Sequence, residues 1–293
     1  MSVLVDLIVM LGMFVIVPMG LGLIDGPRPR GLHLLRRAWP LLAAPGALAL
    51  WLPRSPTAAA LATVYALATL ALALCAPARL AALPRPKAGL SLRSLPPSEI
   101  AVLTALVTPS VAGLALVAER AGHELFGFDL DILALTVPHF HFAGFAAALV
   151  AGLVCRTSDG PATRFAALSV PLGTLLVLVG YFVDDWAELA GALVLTAGMW
   201  AVALETWREL RTGARDPVTH GLLAVSAVVL VATMLLALSW ALGEATGLPH
   251  PNLTWMAATH GLGNALGFAL CSLLARRRLR ATAPKKETAS WPV

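Results

Sequence analysis

The chain has 293 residues, 58% of them hydrophobic and only 13% charged, and its mean hydropathy is +0.81. A soluble domain carries about a quarter charged residues, so this composition points to an integral membrane protein whose main partner is the lipid bilayer. Lys and Arg outnumber Asp and Glu by 21 to 16, but the excess lies between apolar runs. With no basic helix, aromatic platform or Gly-rich phosphate loop, neither a nucleic acid nor a nucleotide is expected as a partner.

A hydrocarbon core of about 30 Å takes about 20 helical residues. Runs near that length fall at 3–24, 38–53, 57–76, 99–118, 132–154, 164–183, 187–205, 217–242 and 252–275. The first lacks a basic leader and a small-residue cleavage site, so it reads as a permanent helix. The second is short and carries Pro40 and Pro45. The expected fold is all-α, a polytopic transmembrane bundle of about nine helices over residues 1–275. A basic tail, 276–293, is expected to be disordered against anionic headgroups.

Charge tests that count. With the N-terminus outside, inner connections hold Arg28, Arg30, Arg36, Arg37, Arg79, Arg85, Lys87 and Arg93, then Arg156, Arg164, Arg208, Arg211 and Arg215. The tail adds Arg276, Arg277, Arg278, Arg280, Lys285 and Lys286, and only Arg54 and Arg120 fall outside. So regular an alternation predicts an outer N-terminus and a cytoplasmic C-terminus. Acids lean the other way, with Glu119, Glu124, Asp129, Asp131, Asp184, Asp185, Glu188 and Glu244 in outer connections.

Three histidines stand inside the spans, where ionisable side chains are rare because they are costly. His139 and His141 lie seven and nine residues into the fifth run, and His260 lies eight into the ninth. At ~1.5 Å per residue, all three sit roughly 10–14 Å below the outer surface. Two residues of helix turn the chain by about 200°, so His139 and His141 face opposite ways. His260 and Asn264, four apart, share a face. Gly144, Gly261, Gly263 and Gly267 offer small faces for close helix approach or for a flat cofactor.

Neutral imidazole binds iron, copper or zinc well, and it also titrates near neutral pH. The expected site is therefore a buried outer-leaflet histidine site holding heme or a transition metal ion (Fe, Cu or Zn). The candidate ligands, for a cofactor or a metal ion, are His139, His141 and His260, with Asn264 in support; helical phase leaves open which of His139 and His141 faces the bundle centre. The competing readings are a proton-coupled small transporter using the same histidines and a zinc-dependent membrane hydrolase. The hydrolase would need Asp184, Asp185 or Glu119 folded inward. The plainest alternative is that each imidazole fastens neighbouring helices. No activity and no oligomeric state follows from these residues.

Elsewhere, His123 and His250 are expected at the outer rim, and His33 and His220 at the inner face. Trp39, Trp186, Trp200, Trp207, Trp240 and Trp255 read as an aromatic belt. Cys75, Cys155 and Cys271 are widely spaced, with no disulfide framework.

At His139-Phe140-His141-Phe142-Ala143-Gly144-Phe145 and at His260-Gly261 with Asn264-Ala265-Leu266-Gly267-Phe268, the chain resembles the YndJ-like family of bacterial multi-span membrane proteins. That resemblance implies a bacterial cell (inner) membrane location and supplies no activity. Locally, Val137-Pro138-His139-Phe140-His141-Phe142 and Thr259-His260-Gly261-Leu262 are similar to the heme-ligating segments of heme-copper oxidase subunit I. This likeness implies His141 and His260 as a bis-histidine pair, with His139 facing a second site. The two segments occur in the reverse order here, and no copper-ligand histidines follow.

Overall fold

The computed structural model describes residues 3–26, 29–83, 95–158, 160–212 and 216–282. Nine helices fill them: α1 (Val3–Leu23), α2 (Arg30–Leu50), α3 (Pro56–Ala81), α4 (Pro97–Ala121), α5 (Leu130–Thr157), α6 (Pro161–Gly180), α7 (Asp185–Thr212), α8 (Pro217–Thr246) and α9 (Leu253–Thr282). All but α2 are long and apolar enough to cross a membrane. Among the described residues there is no strand, only an isolated bridge between Leu125 and Phe128. The molecule is a multi-pass helical membrane protein.

Helix ends follow local chemistry. Ser55 accepts from the Ala58 amide ahead of α3, Asp129 from Asp131 and Ile132 ahead of α5, and Asn252 from Trp255 ahead of α9. Each satisfies amides that the first turn leaves open. Asp216 does the same for α8 by accepting from Thr219, whose amide and hydroxyl hold its carboxyl down to about 2, with help from Arg278.

α2 starts at Arg30, eight residues before the expected run. Nothing between Arg30 and Arg37 breaks a helix, so the segment continues beyond the apolar layer with its arginines attached. Pro40 and Pro45 are accommodated inside it, as neighbours in a bundle allow. Trp39 on this helix is not part of a belt: it is fully buried, and its Nε1 donates to the Met13 carbonyl at 2.8 Å. The reason lies in α1, which is π-helical over Gly12–Ile16, the Val17 amide bonding to Gly12. The next residue, Pro18, has no amide to give Met13, so Trp39 supplies the missing donor. Trp39→Phe should leave that carbonyl unpaired and cost about 1–3 kcal/mol in a detergent unfolding assay. An unchanged midpoint would remove the bond from the account. Trp186, Trp207 and Trp255 are exposed near helix ends, as a belt requires.

Ion pairs fasten both ends of the bundle. At the basic end, Glu99 on α4 pairs with buried Arg79 on α3 at 3.0 Å and with Arg156 on α5. At the opposite, acidic end, Glu119 and Arg120 are both buried. Arg120 donates to the carbonyls of Leu50 and Leu52, capping the C-terminus of α2, while Arg54 joins Glu119 at 3.0 Å.

α9 runs on to Thr282, so the tail does not begin its irregular course at residue 276. Arg276 pairs with Glu209, Arg278 with Asp216 and Arg280 with Asp25, each within 2.8 Å. These cross-links give the polar extension tertiary partners, which its composition alone conceals. Arg28, Arg85, Lys87, Arg93, Arg215, Lys285 and Lys286 lie outside the described residues, as does the remainder of the tail. Cys75, Cys155 and Cys271 form no disulfide among the described residues.

Candidate ligand site

Among the described residues, three helices depart from α geometry at one level of the bundle. Besides Gly12–Ile16 on α1, the π-helical segments are Phe140–Ala146 on α5, and Ala257–Gly261 and Gly263–Leu270 on α9. Wide π turns are rare and concentrate at functional sites. Here they surround all three intramembrane histidines.

His141 turns toward α1 and α3. A Cβ on Gly12 would lie 2.9 Å from the His141 side chain, so α1 can pass only because that residue is glycine. The ring is completely buried and both nitrogens are occupied. Nδ1 donates to the Val137 carbonyl at 2.7 Å, which leaves Nε2 to accept from the Tyr65 hydroxyl at 2.5 Å. A carbonyl can only accept, so this tautomer is set by the partner. Tyr65 in turn packs edge-on against Trp39, with ring centroids 6.0 Å apart. His141 is therefore a strut between α5, α3 and α1, and it does not reach the space that His260 faces.

His139 points the other way, as the two-residue phase requires. With His260 and Asn264 it lines a cavity of about 580 Å³ bounded by α1, α5, α6, α7, α8 and α9. Its ring meets the edge of Phe140 at 5.5 Å and finds no hydrogen-bond partner among the described residues. The two cavity imidazoles lie within electrostatic range of each other. His260 is held by its Nδ1, which donates to the Thr233 carbonyl at 2.8 Å, so the Nε2 lone pair is not used by a backbone group. Asn264 Nδ2 stands 3.3 Å from that Nε2, and its Oδ1 accepts from the Thr233 hydroxyl at 2.9 Å.

The predicted pairing of His141 with His260 is thus replaced by His139 with His260. Only the relative angle between His139 and His141 is a property of the helix; packing decided which of them turned inward. Among the described residues no group of three or more His, Cys, Asp or Glu side chains is assembled to hold a metal ion. The expected trio of His139, His141 and His260 does not converge.

The glycines divide as well. Gly144 closes on Thr108, and Gly263 and Gly267 close on Thr233 and Val229, with any added Cβ inside 3.0 Å. Gly261 faces the cavity, and among the described residues nothing stands nearer than 3.8 Å to a Cβ added there.

At the acidic end the cavity mouth is lined by Asp184, Asp185, Glu188 and Glu244, beside Tyr181 and Trp240. His250 pairs with Glu244 at 3.0 Å and meets Trp240 edge-on at 4.8 Å. Glu119 takes no part, being committed to Arg54 and Arg120. His33, His123 and His220 are exposed. Tyr65 and Thr233 were not singled out from sequence. The available signal was their polarity inside apolar runs, and Tyr65 is one of only two tyrosines in the chain.

Fold and site together define a polytopic helical membrane protein with a ligand-sized cavity inside the bundle. The family model described as YndJ-like protein matches residues 7–268, and the chain belongs to that family. No curated protein and no solved structure matches it.

Proposed function

We propose that this protein binds a ligand arriving from the outer face of a bacterial cell membrane, and that His139 and His260 hold it in the cavity. The carrying observation is the convergence on one cavity of two imidazoles from distant helices, with His139 unpartnered among the described residues. The charge alternation puts the acidic mouth outside. Cavities of this size, mostly apolar with a few convergent polar groups, are the usual form of small-molecule sites.

A transition metal ion is the second reading, favoured by the bond from His260 Nδ1 to the Thr233 carbonyl. Metal-bound imidazoles are typically oriented in this way by an outer partner. Heme fits less well. Its carboxylates would meet four acidic residues at the mouth, and among the described residues no Lys or Arg lines the cavity. A zinc hydrolase would need a third ligand beside the two imidazoles. A proton-coupled carrier would use the same pair, and its mark would be proton flux in proteoliposomes that depends on both histidines.

The test is to purify the full chain, record its visible spectrum and metal content, and profile its co-purifying small molecules by mass spectrometry. His139→Ala and His260→Ala are run alongside. A species or spectrum retained by the parent should fall at least about tenfold in both variants, equivalent to ~1.4 kcal/mol. Identical contents in all three proteins would overturn the proposal.

A further inference from the structure

The wall of the cavity changes character along its length. His139, His260 and Asn264 supply its inner polar groups, and Ile8, Leu135, Phe142 and Met234 are among the hydrocarbon side chains that line it around them. The mouth carries Asp184, Asp185, Glu188 and Glu244. Two of these have local duties, Asp184 capping the Ala187 amide and Glu244 pairing with His250. Glu188 has none. It is partly buried on the first turns of α7, faces the cavity, and has no cationic partner among the described residues.

Carboxylates gathered at an opening repel one another, and burial worsens the cost of an unpaired one. A cation seated among them relieves both. Trp240 and Tyr181 beside them add ring faces that attract ammonium groups. Size narrows the choice further. A volume of about 580 Å³ far exceeds a bare ion with one or two waters, each taking about 30 Å³. A phospholipid would bring its phosphate against the same acids.

From this we infer that the ligand is an amphipathic organic cation. Its ammonium lies at Glu188 and Asp185, its apolar or aromatic body lies along the walls, and a hydrogen-bond donor such as a hydroxyl meets the lone pair of His139. This rests on the reading that the cavity is a binding site, and adds the class of molecule it takes.

The test uses the full chain in phosphatidylcholine nanodiscs. The probe is a phenol joined by a short alkyl chain to a trimethylammonium group, compared with its uncharged tert-butyl isostere. Binding is followed by tryptophan fluorescence and calorimetry. The cation should bind at least about tenfold more tightly than the isostere. Glu188→Gln should erase most of that preference without weakening the isostere, and added salt should act in the same direction.

Equal binding of the two probes, or no response of the cation to Glu188→Gln, overturns the inference. So does failure of every probe of the series, or displacement of the probe by zinc or copper(I) salts alone. The two readings separate cleanly. If both probes bind equally and both are lost in His139→Ala, the cavity site stands and the cation falls. If the charge preference persists untouched in His139→Ala and His260→Ala, the histidines lose their role instead.

Discussion

His141→Ala is expected to destabilise the bundle by about 2–4 kcal/mol, mostly through the hole it leaves, while the cavity remains able to bind. The hydrogen bonds contribute less, since interhelical bonds in membranes average about 0.6 kcal/mol. Tyr65→Phe, which deletes only the hydroxyl, should therefore cost about 1 kcal/mol. His139→Ala should show the reverse pattern, near-parent stability with loss of ligand, because its ring borders the cavity and has no hydrogen-bond partner among the described residues. Reversible unfolding in mixed detergent reads the first property and ligand retention the second. A stable His141→Ala that has lost its ligand would return His141 to the site and undo the assignment.

The second large effect concerns α6 and α7. A Cβ on Gly191 would lie 2.5 Å from the Val177 backbone nitrogen, and one on Gly173 would lie 2.5 Å from the Leu195 backbone. Gly198 closes in the same way on Ser169, and Gly180 on the Glu188 backbone. Small residues at this spacing let two backbones approach where lipid supplies no hydrophobic drive. Gly191→Val must push backbone against backbone, so it should cost about 3 kcal/mol, the upper end for overpacking. Gly221→Val is the control, because nothing among the described residues stands within 4 Å of its added Cβ, and its effect should stay under about 1 kcal/mol. Equal melting of the two variants would exclude close packing as the reason for glycine. Because Gly180 holds the start of α7, the same interface positions Glu188 at the cavity mouth.

How much was legible varies by element. The eight apolar spans were readable because about 20 consecutive apolar residues have few other uses. α2 was harder: its arginine-bearing start has the same helix-forming residues as its interior but lacks the hydrophobic marker. The α6–α7 contact was written in glycines seven residues apart, a spacing that acquires meaning only once the partner helix shows the same one. The extension of α9 to Thr282 depends on Glu209, Asp216 and Asp25, all remote in sequence.

The site shows the same division more sharply. By itself the sequence determined a multi-span helical chain, a common depth for three imidazoles, opposite faces for His139 and His141, and a shared face for His260 and Asn264. All of these follow from a rise and a turn per residue that are nearly constant. Tertiary structure decided the absolute rotation of α5, and with it which histidine became a strut and which a cavity wall. That rotation is set where Gly12 lets α1 close on the His141 ring and Tyr65 takes its Nε2. Contacts between distant helices supply it, and no local spacing records it.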